Sequence, residues 1–334
     1  MSASPPPLIS PTVILNKTHD TGLEIKCALP PGSAALLVTH NNKIVLDWGK
    51  TKEKFWVHSI RKSFLSALTG VALCEGRLQL ETPLEEYSFL PDKLNGPESN
   101  ATLHDLILSR SGIYLPAAAA DRELPPRGSH LPGEAWFYNN WGFNVVQLVL
   151  EQNYECDIFS LFSEKIAVPL GMKNFIPNED GSYVGSNEHA LKAGFFRMDS
   201  FDLASFGQLY LNNGQVRQRQ ILESDWITKS IRPVSKTDLG NGYGYMWWIS
   251  ANGISIPGMT SYYPDLYYGW GWAGHYIVVV PSLNITIVHR SDTNDVSRTT
   301  HVSHEEFGQV TDEILHFVKE DNQALQRTDD NAGH

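Results

Sequence analysis

The sequence predicts an α+β fold: one antiparallel sheet built from both chain ends, flanked by helices, with a mainly helical lobe inserted between them. Three observations predict it. Strand-like runs gather near the two termini, helical periodicity fills the middle, and the later runs are β-branched and joined by turn residues. The implied division is a sheet domain from 1–55 and 232–334 and a helical domain from 56–231.

The first residues are rich in Pro and Ser and read as irregular. In ALLVTH-NN-KIVLDWG (35–49), two short apolar runs flank Asn41-Asn42, a hairpin signal. From Ser59 to Leu73 the texture changes. Ile60, Phe64, Ala67, Leu68, Val71 and Ala72 recur at helical spacing, and much of the other face is small, so a buried helix closing near Gly76 is expected. Thr102 with Asp105 three positions on reads as a helix start, and Gly142–Gln152 and Ser200–Leu211 as helices. The 112–134 stretch, with four consecutive Ala and several Pro, reads as a long loop of the kind that serves function. It and the 253–268 segment are expected to wall a pocket. After Gly242, YGYMWWIS, HYIVVVP and NITIVHR read as strands, the last two joined through Pro281-Ser282-Leu283-Asn284. A helix over roughly 303–319 and a disordered polar tail complete the chain.

Composition excludes several classes. A net charge of −11 with no cluster of Lys or Arg is wrong for nucleic acid. No apolar run reaches membrane-spanning length, and MSASPPPLISPTV lacks the basic and apolar regions of a secretory signal. Cys27, Cys74 and Cys156 give neither a disulfide framework nor a zinc spacing. The reading is a cytoplasmic protein. GWGWAG (269–274) spells G-x-G-x-x-G, yet it runs into a β-branched strand and not a helix, so it does not hold a dinucleotide. Its glycines instead mark a strand that something approaches closely.

The strongest chemical signal is His58-Ser59-Ile60-Arg61-Lys62. Ser59 and Lys62 stand three apart at the head of the buried helix. A serine hydroxyl needs a base, and a lysine amine serves when burial and positive neighbours lower its pKa. Tyr138 and Asn140, in WFYNNWGFN, sit between a loop and a helix. The tyrosine is placed to share a proton with the lysine, and Asn140 to orient the lysine or hold a substrate amide. Tyr210-Leu211-Asn212 has the same spacing but ends an amphipathic helix and reads as structural. His58 reads as structural and Arg61 as exposed or salt-bridged. His301, His304 and Glu305 open an exposed helix without a further ligand, so neither a metal nor a cofactor is implied.

Taken in order, S-x-x-K, PGE…Y-x-N, GFFRMDSFDLASFGQLYLNNG, YGYMWW and a glycine strand ending in VVVP resemble the serine β-lactamase and penicillin-binding-protein superfamily, in its class C-like branch. The resemblance spans roughly 30–320 and implies a β-lactamase/transpeptidase-like fold. It also implies an acyl-enzyme on Ser59, with Lys62 and Tyr138 as general base and acid. The third box of that superfamily falls at Gly269-Trp270-Gly271 or, in the alternative register, at Trp272-Ala273-Gly274. Gly271 would let the backbone approach the acyl group, and the Trp272 amide would join that of Ser59 as an oxyanion hole. The Lys or His of that box is missing here. The resemblance therefore implies a small, uncharged ester or amide substrate in preference to a β-lactam. Transfer of the same acyl group to an amine or alcohol, peptide cyclisation or peptidase action, and true β-lactam hydrolysis are the alternatives, and a non-catalytic binding protein is the rival from another class.

Overall fold

The computed structural model describes residues 12–16, 24–119, 122–185 and 191–332, so the Pro- and Ser-rich start lies outside the described residues. The fold is α+β. Eight antiparallel strands form the main sheet: β1 (Ser33–His40), β2 (Lys43–Gly49), β3 (Ser235–Lys236), β4 (Gly242–Tyr243), β5 (Trp248–Ile249), β6 (Tyr267–Gly271), β7 (His275–Val280) and β8 (Ile285–Ser291), in the spatial order β3-β4-β5-β6-β7-β8-β1-β2. The β1–β2 turn is the predicted one, with Asn41 at φ 51° and Asn42 at φ 61°. Both are left-handed, as a two-residue hairpin of matching twist requires. Strand β1 pairs with β8 from Ile285↔His40 to Ser291↔Ser33, with a bulge between Arg290 and Ser291. Both chain ends thus supply one sheet.

Strands β7 and β8 are buried throughout, because helices cover both faces. Two further helices carry this packing: α3 (Ser200–Leu211) and α4 (His304–Ala332), named after α1 (Arg61–Cys74) and α2 (Asn140–Tyr154). Neighbouring residues of β7 point to opposite faces. Tyr276 stacks on Phe307 of α4, with ring centroids 3.9 Å apart. On the other face Gly207 lets α3 sit close, since a Cβ there would lie 2.6 Å from Thr286 Cγ2 and 3.0 Å from Ile277 Cγ2.

Helix α1 is buried from Arg61 to Ala72. Phe64 lies 4.7 Å from both the Phe162 and Phe206 rings, so the helix is clamped by aromatic packing worth about 1.5–3 kcal/mol per fully buried side chain. Gly76 ends it at φ 67°, with its N–H on the Leu73 carbonyl and the Arg77 N–H on the Ala72 carbonyl. This is a left-handed glycine cap, which explains the predicted stop.

Several elements differ from the sequence reading. The tail beyond 319 is helical as far as Ala332, and no Pro or Gly interrupts it. YGYMWWIS is two short strands separated by a turn in which Met246 has φ 60° and donates to the Ile107 carbonyl. A Cβ on Gly244 would meet the Ser230 carbonyl at 2.3 Å, so close packing bends the run. The hairpin Thr12–Asn16/Glu24–Ala28 and the small sheet of Phe55–Trp56, Gly181–Val184 and Ala193–Met198 were not anticipated. Among the described residues, no helix is long and apolar enough to cross a membrane.

Candidate active site

Ser59 does not open the α-helix as expected. It sits in a single 3₁₀ turn, His58–Ile60, that runs into α1 at Arg61. Tight 3₁₀ winding eclipses residues three apart. The Lys62 Nζ accordingly reaches the Ser59 Oγ at 2.7 Å. Lys62 is only 2% exposed, so its amine meets the half-buried Ser59 hydroxyl from the protein side. The same amine lies 4.6 Å from the centre of the Tyr138 ring and 5.0 Å from that of Phe143. Two boxes about 75 residues apart in sequence therefore meet at one point.

Strand β6 runs beside the Ser59 turn. It is interior to the sheet at Tyr267 and Tyr268, which pair with β5, but β5 ends there. Residues 269–271 consequently have a strand partner on one side only. Strand β6 is thus an edge only at its last three residues. The glycines serve as anticipated: a Cβ on Gly269 would lie 3.1 Å from Ser63 Oγ, and one on Gly271 only 2.6 Å from the Val57 carbonyl oxygen. Trp272 follows in the turn to β7, where Ala273 (φ 66°) and Gly274 (φ 101°) are left-handed. The 269–271 register therefore lies on the strand and the 272–274 register in the turn.

A cavity of about 190 Å³ opens onto Ser59 and Tyr138. Its apolar wall is Trp248, Trp270, Trp272 and Leu239. The volume is below the usual range for drug-sized ligands. His304 also lines it, its ring 4.1 Å from that of Trp270 and its Nδ1 2.8 Å from the Tyr276 hydroxyl. Among the described residues the one cation lining the cavity, Arg122, is paired with Asp238 at 2.8 Å. Residue 122 belongs to the loop expected to wall the pocket, whereas no residue of 253–268 lines it. Leu239 and Trp248 were not singled out in the sequence, and His304 was set aside there, because nothing local marks a residue that only the sheet brings to the site.

Other candidates resolve differently. Arg61 is not exposed, and among the described residues it has no salt bridge: it is buried and donates to Asn144 Oδ1 at 2.7 Å, because the helix that carries it is enclosed. Asn140 turns its Nδ2 to the Ala119 carbonyl, and its Oδ1 is buried without a partner among the described residues. Asn139 is the cap of α2, accepting from the Trp141 N–H at 3.0 Å. Tyr210 packs 4.6 Å from Trp247 in the core, as its helix position implied. Among the described residues no three His, Cys, Asp or Glu side chains converge to hold a metal ion.

Burial sets the charge of the surrounding histidines. Desolvation, aided by Arg290 and Lys62, holds His58 down at about 4. Burial does the same for His289 and His304, at about 4 each, and carries His275 well below its ordinary value. These groups are neutral when folded and titrate near 6.5 when unfolded. Their contribution is therefore fully present above pH 6.5 and lost as pH falls towards 4. Asp202, raised to about 6 by burial and by Asp199, and Glu151, raised by burial, act in the opposite sense but are outnumbered by the four histidines. The melting midpoint is expected to drop by at least ~5 °C between pH 7 and pH 4.5, and a flat profile in thermal scans would refute this account.

The comparisons with known proteins fit this geometry. A sequence profile for the Beta-lactamase family matches residues 31–301. The chain belongs to the beta-lactamase family. A beta-lactamase fold is shared with a Bacillus anthracis protein assigned as a 6-aminohexanoate-dimer hydrolase (22% identity, TM-score 0.65, 86% of this chain and 80% of that one). It is shared with the octameric penicillin-binding protein homologue of Pyrococcus abyssi (20%, 0.63, 85% and 73%). A class C beta-lactamase of Rhodobacter sphaeroides matches at 17% identity and a TM-score of 0.60, over 86% and 95%. In sequence alone, an uncharacterised protein of Alkalihalophilus pseudofirmus is 20% identical over 83% of this chain and 87% of its own length. At this level the chain is a beta-lactamase-related hydrolase.

Proposed function

We propose that the protein is a serine hydrolase that cleaves a small, uncharged ester or amide through an acyl-enzyme on Ser59. The observation that carries this is the 2.7 Å contact of the buried Lys62 amine with the Ser59 hydroxyl, at the wall of an aromatic cavity. Lys62, coupled to Tyr138, takes the hydroxyl proton as Ser59 attacks the carbonyl carbon, and the pair returns it to the departing alcohol or amine. The oxyanion is received by the amides of Ser59 and Trp272, which the closeness of Gly271 to Val57 supports. Water, activated by the same pair, then releases the acyl group.

The wall chemistry supports the substrate class. Three indoles and Leu239 offer apolar surface, His304 is uncharged at neutral pH, and Arg122 is already paired. A substrate carboxylate therefore has no dedicated partner, and a short neutral acyl group fits best. Ser59→Ala is expected to abolish covalent labelling by a fluorophosphonate probe and turnover of p-nitrophenyl butyrate, while its melting curve stays within a few degrees of wild type. Undiminished labelling of that variant removes Ser59 from the role.

A further inference from the structure

Behind the Ser59 turn lies a buried chain of polar groups that the hydrolytic steps do not use. Arg290, fully buried on β8 next to the bulge, donates through Nε to His275 Nδ1 at 2.9 Å. Its other N–H groups are fixed by the carbonyls of Met198 at 2.8 Å and of Phe55 at 2.9 Å. His275 Nε2 lies 3.1 Å from Thr293 Oγ1, and the same oxygen lies 3.0 Å from His58 Nε2. We propose that this chain, Arg290–His275–Thr293–His58, is a positioning relay that holds the Ser59 turn and the Trp272 wall in register for acyl transfer. It rests on the reading of Ser59 as nucleophile.

The direction of every bond follows from valence. An arginine N–H can only donate, so His275 Nδ1 accepts and its proton sits on Nε2. That proton goes to Thr293 Oγ1. The threonine has one proton of its own, and His58 Nε2 is the acceptor within reach, which leaves the His58 proton on Nδ1. The orientation of the His58 ring is thus set by a guanidinium three links away, in surroundings where an unpaired polar group is costly.

What the relay holds is a conformation that histidine does not prefer. His58 has φ 48°, in the left-handed region. That region is strained for a residue with a Cβ, and it suits Gly or Asn better. This strained residue immediately precedes Ser59, so its backbone sets where the Ser59 amide and hydroxyl point. Its ring also lies 5.3 Å from the Trp272 ring, and its Cβ is within 3.3 Å of where a Cβ on Gly271 would be. One side chain therefore braces both halves of the proposed oxyanion hole. His289 adds a second brace by donating from Nδ1 to the Gly274 carbonyl at 2.6 Å, which ties the far end of the Trp272 turn to the sheet.

The test reads the rate of covalent capture, so it needs no knowledge of the natural substrate. Thr293→Val keeps the side-chain shape and removes the central hydroxyl. Fluorophosphonate inactivation of that variant is expected to show the limiting rate lowered about tenfold to a hundredfold, with the half-saturating probe concentration unchanged within about threefold. Thr293→Ser, which restores the hydroxyl, should recover the rate to within about threefold of wild type. His58→Asn favours the same left-handed backbone but severs the relay, and it should lose rate as Thr293→Val does. It also carries the test should Thr293→Val not fold. A rate within twofold of wild type in either severed variant overturns the relay, as does failure of Thr293→Ser to exceed Thr293→Val. These failures differ from that of the underlying reading, which shows as continued labelling of Ser59→Ala.

Discussion

Lys62→Met is expected to lower kcat/KM for p-nitrophenyl butyrate by about 10³–10⁴-fold, with KM changed far less than kcat. Methionine matches the length of the lysine stem and suits a site that is 2% exposed, so the fold should tolerate it. What disappears is the amine 2.7 Å from Ser59 Oγ, the group proposed to take the hydroxyl proton. A thousandfold loss corresponds to about 4 kcal/mol of barrier, at 1.36 kcal/mol per tenfold. That is the scale of a lost proton acceptor and well beyond that of a packing adjustment. Lys62→Arg should fail similarly, because a guanidinium stays protonated and cannot act as base. Steady-state kinetics with a thermal melt on each variant decides the matter. Should the methionine variant keep a tenth of wild-type activity, the base lies elsewhere.

Gly271→Ala is the second large effect, about a hundredfold in kcat, and it involves no loss of a chemical group. The added Cβ would lie 2.6 Å from the Val57 carbonyl oxygen, 3.1 Å from His275 Cβ and 3.3 Å from His58 Cβ. The nearest atom is backbone and cannot rotate away. The strand and the Ser59 turn must therefore separate, which displaces the Trp272 amide from the oxyanion it is proposed to meet. Gly96→Ala makes a fair control, since nothing lies within 4 Å of the added atom. It is expected to stay within twofold of wild type. Equal kinetics for the two alanine variants would show that the approach of strand to turn has no bearing on the chemistry.

The residues legible in the sequence share one property: their signal is local. Ser59 and Lys62 were visible because three-residue spacing alone brings them together, and the Asn41-Asn42 turn because left-handed conformations leave a compositional mark. Thr102 and Asp105 form the capping arrangement their spacing announced. The glycines at 269 and 271 gave away a close approach without naming its partner. Residues whose role depends on distant segments were not legible. Arg61 was misread because charge suggests solvent, and only the enclosing helices show otherwise. His304 was set aside as the start of an exposed helix, yet α4 lies across the sheet and brings the ring against Trp270. Thr293 bridges His58 and His275, which are far apart in sequence, and carries no pattern at all.

Strand β1 lies between β8 and the edge strand β2, so an early segment of the chain fills an interior place in the sheet beside a much later one. During synthesis, Ser33–His40 is therefore made long before its permanent neighbour Ile285–Ser291 exists. Until then it offers an unsatisfied ladder on one side, which is a template for wrong pairing. The Phe64 cluster draws on residues between 64 and 206 and is free to assemble earlier. Closure of the sheet around the Trp270 and Trp272 wall therefore waits until Ile285–Ser291 has been made.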